Sequence, residues 1–177
     1  MSSRNRAIAL MVIQCLLVSS IAAKYLYERA TRPRVWARAV QYDPSLPMRG
    51  RYLALSPVVD VCGLGLKPPA ENKLPHWVES GEVQLVARDG KLVAQDAKGR
   101  LPRGDFQRVM LTDRTSCERA PVSPAIDYFV PENAKSPFPL NPGQELWVEV
   151  TVPPSGPPRA IQLALSENGG WKILKFE

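Results

Sequence analysis

Ser45 and Ser56 are candidate nucleophiles, and Lys67, Lys73 and Lys91 are candidate bases. Acyl transfer by serine requires a base within hydrogen-bond reach and donors for the developing oxyanion. A Ser–Lys dyad after a membrane anchor would make a leader-peptidase-like hydrolase, but no local spacing selects a pair from these five residues. The chain has no Gly-x-Ser-x-Gly, and His76 is its sole histidine. One histidine and no Cys-x-x-Cys leave too few ligands for zinc, so no metal site is expected. No Gly-x-x-x-x-Gly-Lys-Ser/Thr is present to cradle phosphates, and no cofactor is expected. Three carboxylates, Asp43, Asp127 and Glu132, can do acid–base work only if the fold joins them and separates their pKa values. The plainer reading has each capping a turn or facing an arginine. No catalytic residue is therefore assigned, and a non-enzymatic role is the leading expectation.

The elements that would position these groups begin with an apolar run. Residues 7–23 contain no charge and are bounded by Arg4, Arg6 and Lys24. Seventeen helical residues at 1.5 Å each cover roughly 26 Å, and continuing through Tyr25, Leu26 and Tyr27 completes a span of the roughly 30 Å hydrocarbon core. Tyr25, Tyr27 and Trp36 suit the aromatic belt at the headgroups. Gln14, Ser19 and Ser20 are the polar members of the run, a candidate polar face toward a partner helix. The alternative is a cleaved signal peptide with Ser20-Ile21-Ala22 as its small-x-small site. The run exceeds the roughly 7–15 residues of a usual signal core, so a retained anchor is the preferred reading.

Charge separates this end from the rest. Residues 1–38 hold seven Lys/Arg against one acid, whereas residues 39–177 hold sixteen of each. The basic pI therefore comes from the flanks of the apolar run, which removes the case for nucleic-acid binding by the folded part. The organisation read from this is an anchor over 1–30, a basic juxtamembrane linker over 31–38 and a soluble domain over 39–177. The excess of cations after the run favours a cytoplasmic domain. Cys62 and Cys117, the two cysteines of the soluble part, favour an oxidising compartment if they pair; two free buried thiols are the alternative.

About 139 residues suffice for one domain with its own core. Proline occurs 18 times, about double the usual ~5%, and punctuates short alternating segments. Residues 82–87 and 91–94 flank Asp89-Gly90, a hairpin signal because a type I′ turn needs φ > 0. Residues 145–152 and 159–165 alternate with period two, and Asn168-Gly169-Gly170 turns the chain into 171–176. Further strands are expected at 35–42, 50–56, 106–112 and 126–130. The fold class expected is mainly β, a small barrel or sandwich following one N-terminal transmembrane helix. Residues 57–77, with Gly63, Gly65 and Pro68-Pro69, read as a long loop that can serve as a lid over a ligand.

Two short phrases carry a family resemblance. In residues 40–55, Asp43-Pro44, Arg49-Gly50, Tyr52 and Leu55 resemble the signature of the GDYXXLXY family, Gly-Asp-Tyr-x-x-Leu-x-Tyr preceded by Asp-Pro and Arg-Gly. Arg51 and Pro57 stand where that pattern has Asp and the last Tyr. Tyr128-Phe129-Val130-Pro131-Glu132 is similar to its second signature, with Asn133 in place of the usual Gly. The resemblance implies a bacterial membrane-anchored protein without an assigned activity, often found with multi-spanning membrane proteins. It adds weight to an exported domain, and the expected location is the inner membrane, single-pass, with the β domain in the periplasm. The expected role is docking onto an integral membrane partner; the alternatives are a hydrolase or a ligand-binding sensor.

Overall fold

In the structure, a computed structural model, residues 3–42, 52–66, 79–97, 106–112, 115–131, 137–154 and 156–176 are described. The chain divides into two units, Met1–Arg32 and Pro33–Glu177.

The first unit is one helix, α1 (Ser3–Thr31), which buries none of its side chains within the protein. It is long and apolar enough to cross a membrane. Its 29 residues extend about 43 Å, enough for the hydrocarbon core and both interfaces. The last turn closes with Arg32 N–H donating to Glu28 O and the Thr31 hydroxyl to Tyr27 O. Pro33 then ends it, because proline disfavours the helical conformation of the residue before it. At about 100° per residue, Gln14, Ser19 and Ser20 lie about 100–140° apart around the axis, so they form no common face. Ser20 donates its hydroxyl to Leu17 O within its own helix. The polar face expected of these three residues is not there.

The second unit is built from ten strands: β1 (Arg34–Gln41), β2 (Tyr52–Val59), β3 (Glu79–Arg88), β4 (Lys91–Asp96), β5 (Gln107–Leu111), β6 (Ala120–Ser123), β7 (Ile126–Phe129), β8 (Gln144–Thr151), β9 (Arg159–Glu167) and β10 (Gly170–Ile173). Six of them close a barrel in the order β1-β4-β3-β5-β6-β2, and β2 returns to β1. The β8-β9-β10 meander extends the sheet from β1, and β7 continues beside β2 where β6 leaves it. The mainly β expectation holds, with barrel closure as its form.

Strand β1 starts at Arg34, inside the stretch 31–38 expected to be a linker. The reason is alternation: Val35, Ala37 and Ala39 are buried, opposite Val150, Val148 and Leu146 of β8. A strand with this pattern gains more by burial than a basic tail gains in solution. Proline explains the other difference. Ala120-Pro121-Val122-Ser123 lacks a sequence signal for a strand, yet β6 pairs with β2 and β5. Residues 57–59, assigned by sequence to a loop, complete β2. Residues 67–78 of that loop lie outside the described residues.

The two hairpin turns follow from local chemistry. Asp89 and Gly90 have φ of 51° and 72°, and Asn168 and Gly169 have 49° and 81°. Both are two-residue loops with positive φ at each position, the type I′ geometry that matches strand twist. In the core, Leu55, Val83, Val109 and Leu111 of the barrel strands and Leu146, Val148 and Leu163 of the β8–β9 meander are wholly buried. Each large aliphatic side chain removed from water contributes roughly 1.5–3 kcal/mol.

Cys62 and Cys117 form a disulfide across 55 residues, with Cα atoms 4.8 Å apart. It joins two short 3₁₀ turns, Cys62–Leu64 and Cys117–Arg119. Beside it, Val61 N–H donates to Cys117 O at 2.9 Å, and Cys62 N–H to the Asp60 carboxylate at 2.9 Å. A closed loop of that length restricts the unfolded chain by about 4 kcal/mol in the chain-entropy account. The full-length Cys62→Ser/Cys117→Ser protein in mild detergent should lose most of that stability in urea unfolding followed by tryptophan fluorescence. An unchanged midpoint would contradict a stabilising bridge.

Candidate functional site

Strand β1 has two occupied edges. Along one edge it pairs with β8 from Arg34 to Ala39. Along the other it meets β4 in parallel at Trp36, opposite Lys91, and then β2 from Ala39, opposite Pro57. Between these contacts the edge passes from one strand to another, and a groove of about 360 Å³ opens at the seam. Trp36, Ala37 and Arg38 of β1 line it with Val58, Lys91, Leu92, Glu118, Arg119 and Trp147.

The groove carries three cations from three elements. Arg38 lies on the outward face of β1, opposite Trp147 of β8. Its guanidinium forks onto the Glu145 carboxylate, with Nε donating to Oε2 at 3.1 Å and the second nitrogen donating to Oε1. Burial pushes the Arg38 guanidinium below its ordinary pKa, and the like charge of Arg119 adds to the effect. Arg119 and Lys91 are exposed. Neither side chain forms an ion pair or a hydrogen bond among the described residues. Arg119 is held two residues from the disulfide, its N–H donating to Ser116 O at 3.0 Å.

Three tryptophans gather at this seam. The half-exposed Trp171 ring of β10 sits 5.1 Å from Trp36, edge-on, and 5.2 Å from Trp147. Trp36, placed by sequence in a membrane belt, is instead a wall of the groove. The Trp147 indole N–H is buried with no acceptor among the described residues. A buried indole N–H usually finds a hydrogen-bond partner.

The serine–lysine candidates separate. Ser56 is buried on β2 and lines a second hollow of about 180 Å³ with Val40, Gln41, Tyr42, Met110, Pro121, Val122 and Ser123. Lys91 lines the groove, and the two hollows share no residue. Ser45, Lys67, Lys73 and His76 lie outside the described residues. So do Asp43, Pro44, Arg49, Gly50 and Glu132 of the two signatures.

What remains of those signatures meets in space. Strands β2 and β7 pair antiparallel with Tyr52 opposite Phe129, Leu53 opposite Tyr128 and Leu55 opposite Ile126. Leu55 is fully buried, whereas Tyr52 is half exposed and packs its ring edge-on to Phe129 at 5.6 Å. Tyr52 falls on the outward side of the pleat, and Leu55 takes the core position on β2. Tyr128 faces the other way and lies 5.8 Å from Phe176. Asp127 is exposed opposite Ala54, and Pro131 follows the buried Val130.

No protein-family model, curated protein or solved structure matches this chain. Arg119 and Glu118 carry no sequence signal at all. Arg38 and Trp147 sit at outward positions of alternating strands, which is the part of the site that spacing alone can reveal.

The like-charge coupling at Arg38 can be measured. Glu145→Gln should cost about 1 kcal/mol, a modest value because both side chains are partly in water. The repulsion itself is read from a second cycle: Arg119→Gln should be more favourable to stability with Arg38 present than in the Arg38→Gln background. Strict additivity of these two changes would contradict the repulsion.

Proposed function

We propose that this protein is a non-enzymatic, membrane-anchored interaction protein whose β domain docks onto an integral membrane partner. The observation that carries this reading is an exposed ledge on the outward face of β1, β2 and β7. Val40, Tyr42, Tyr52 and Phe129 are each between 42% and 57% exposed. They share one face. Tyr42 N–H donates to Ala54 O, which places Tyr42 beside the outward row that holds Tyr52, and Tyr52 packs edge-on to Phe129. Exposed aromatic side chains that touch one another mark interaction surfaces more often than scattered single residues do. Tyr52 and Phe129 also belong to the two phrases that resemble the GDYXXLXY family, and that resemblance implies a multi-spanning partner.

The helix contributes the tether. Its polar residues do not form one face, so the reading rests on the ledge and not on helix–helix recognition through Gln14, Ser19 and Ser20. We place the domain on the exported side of a bacterial inner membrane. The Cys62–Cys117 bond supports this side, since such bonds persist in oxidising compartments and are rare in the cytosol.

The test is co-purification from membranes in mild detergent. Wild-type protein should retain a membrane-protein partner, and the Tyr52→Ser/Phe129→Ser variant should retain it at least about tenfold less, the scale of losing one interface anchor. Because both side chains are exposed, its unfolding midpoint should move little. Recovery of the protein alone in every preparation, or equal retention by the variant, would overturn the reading.

A further inference from the structure

The structure assigns the groove at the β1 seam as a binding site for a phosphate-type anion, whether the headgroup of an anionic membrane lipid or free phosphate. The first argument is charge. Arg38, Lys91 and Arg119 face one groove with Glu118, while Glu145 is committed to Arg38. Within the lining three cations stand against one carboxylate; Glu145, committed to Arg38, and Glu149, opposite Trp36 on β8, lie beside it. Burial first, and then the like charge of Arg119, lower the proton affinity of Arg38. An anion between the two arginines offsets the second of these.

The second argument is donors without acceptors. Lys91 and Arg119 are unpaired among the described residues, and Trp147, a wall of the groove, has its indole N–H buried without an acceptor. Lys91 and Arg119 together offer ammonium and guanidinium donors to the groove from two separate elements. Several oxygens on one phosphorus suit such a set, and arginine is favoured for phosphate because its fork matches that geometry.

The third argument is preorganisation. Arg119 sits two residues from the disulfide and directly before Ala120, which is buried in β6. Its backbone is thus fixed before a ligand arrives, which lowers the ordering cost of binding. The volume, about 360 Å³, falls within the usual size of small-ligand sites. Trp36, Val58 and Leu92 supply apolar wall for the stem of a headgroup.

The experiment uses full-length protein in a neutral detergent, titrated separately with dihexanoylphosphatidylglycerol, inorganic phosphate and the phosphate-free dihexanoylglycerol. Tryptophan emission reports binding, since Trp36 and Trp147 line the groove. The phosphatidylglycerol should produce a saturable change, and dihexanoylglycerol should not. Phosphate binding as tightly as the lipid assigns the site to free phosphate; weaker phosphate binding assigns it to the headgroup. Lys91→Gln and Arg119→Gln, at exposed unpaired positions, should not lower the unfolding midpoint and should together weaken binding about tenfold or more. Arg119→Lys should retain part of the affinity. No saturable response to either phosphate compound, equal binding of dihexanoylglycerol, or unchanged affinity in the double variant would overturn the assignment. Retention of a membrane partner is read separately and does not enter these outcomes.

Discussion

The pairing of β1 on both edges is the constraint on which the rest of the domain depends. One edge holds β8 through six residues, while the other holds β4 and β2 in succession. Without the second edge the six strands would be an open sheet with two unprotected sides, and closure is what removes them. The inward residues Val35, Ala37 and Ala39 are small enough to let β8, β4 and β2 approach the same strand. The outward residues Trp36, Arg38, Val40 and Tyr42 are then presented to solvent in one line. Core and surface are thus written on alternate residues of a single strand. A register slip of one position would exchange them.

The division of a strand edge between two neighbours also explains the groove. Hydrogen bonding passes from Lys91 at Trp36 to Pro57 at Ala39, and the intervening residues have no strand partner on that side in the ladder. The gap is filled by side chains from β4, β8 and the turn after Cys117. The disulfide fixes that turn, so the covalent link and the seam belong to one arrangement. The ledge around Tyr52 and Phe129 lies along the part of β2 that holds β7 on the edge opposite β1.

Much of this fold was legible where the chemistry is local. Asp89-Gly90 and Asn168-Gly169 demand turns with positive φ, and the alternation in 145–152 and 159–165 places whole strands. The apolar run of 7–23 predicts a spanning helix, and the angular spread of Gln14, Ser19 and Ser20 follows from spacing alone. What was not legible is non-local. Pairing of Ala120–Ser123 with β2 and β5 overrides a proline that argues against a strand. The groove draws on residues near 37, 58, 91, 118 and 147, so no window of sequence contains it. The cysteine pairing stood open for the same reason, because 55 residues separate the two partners. The Tyr52 face could be read from the pleat, but its exposure depends on nothing covering the outside of β2.

Compartment decides how these features act together. The cations after the apolar run argue for a domain held at the cytoplasmic face, while a disulfide beside the groove argues for the oxidising side. Two of those cations already have structural employment, since Arg34 and Arg38 belong to β1 and Arg38 pairs with Glu145. That reduces the weight of the flank in the topology count. The most direct measurement is a pair of C-terminal reporter fusions, one active only after export and the other only in the cytoplasm. Activity of the exported reporter alone is the predicted result; activity of the cytoplasmic reporter alone would contradict an exported docking domain.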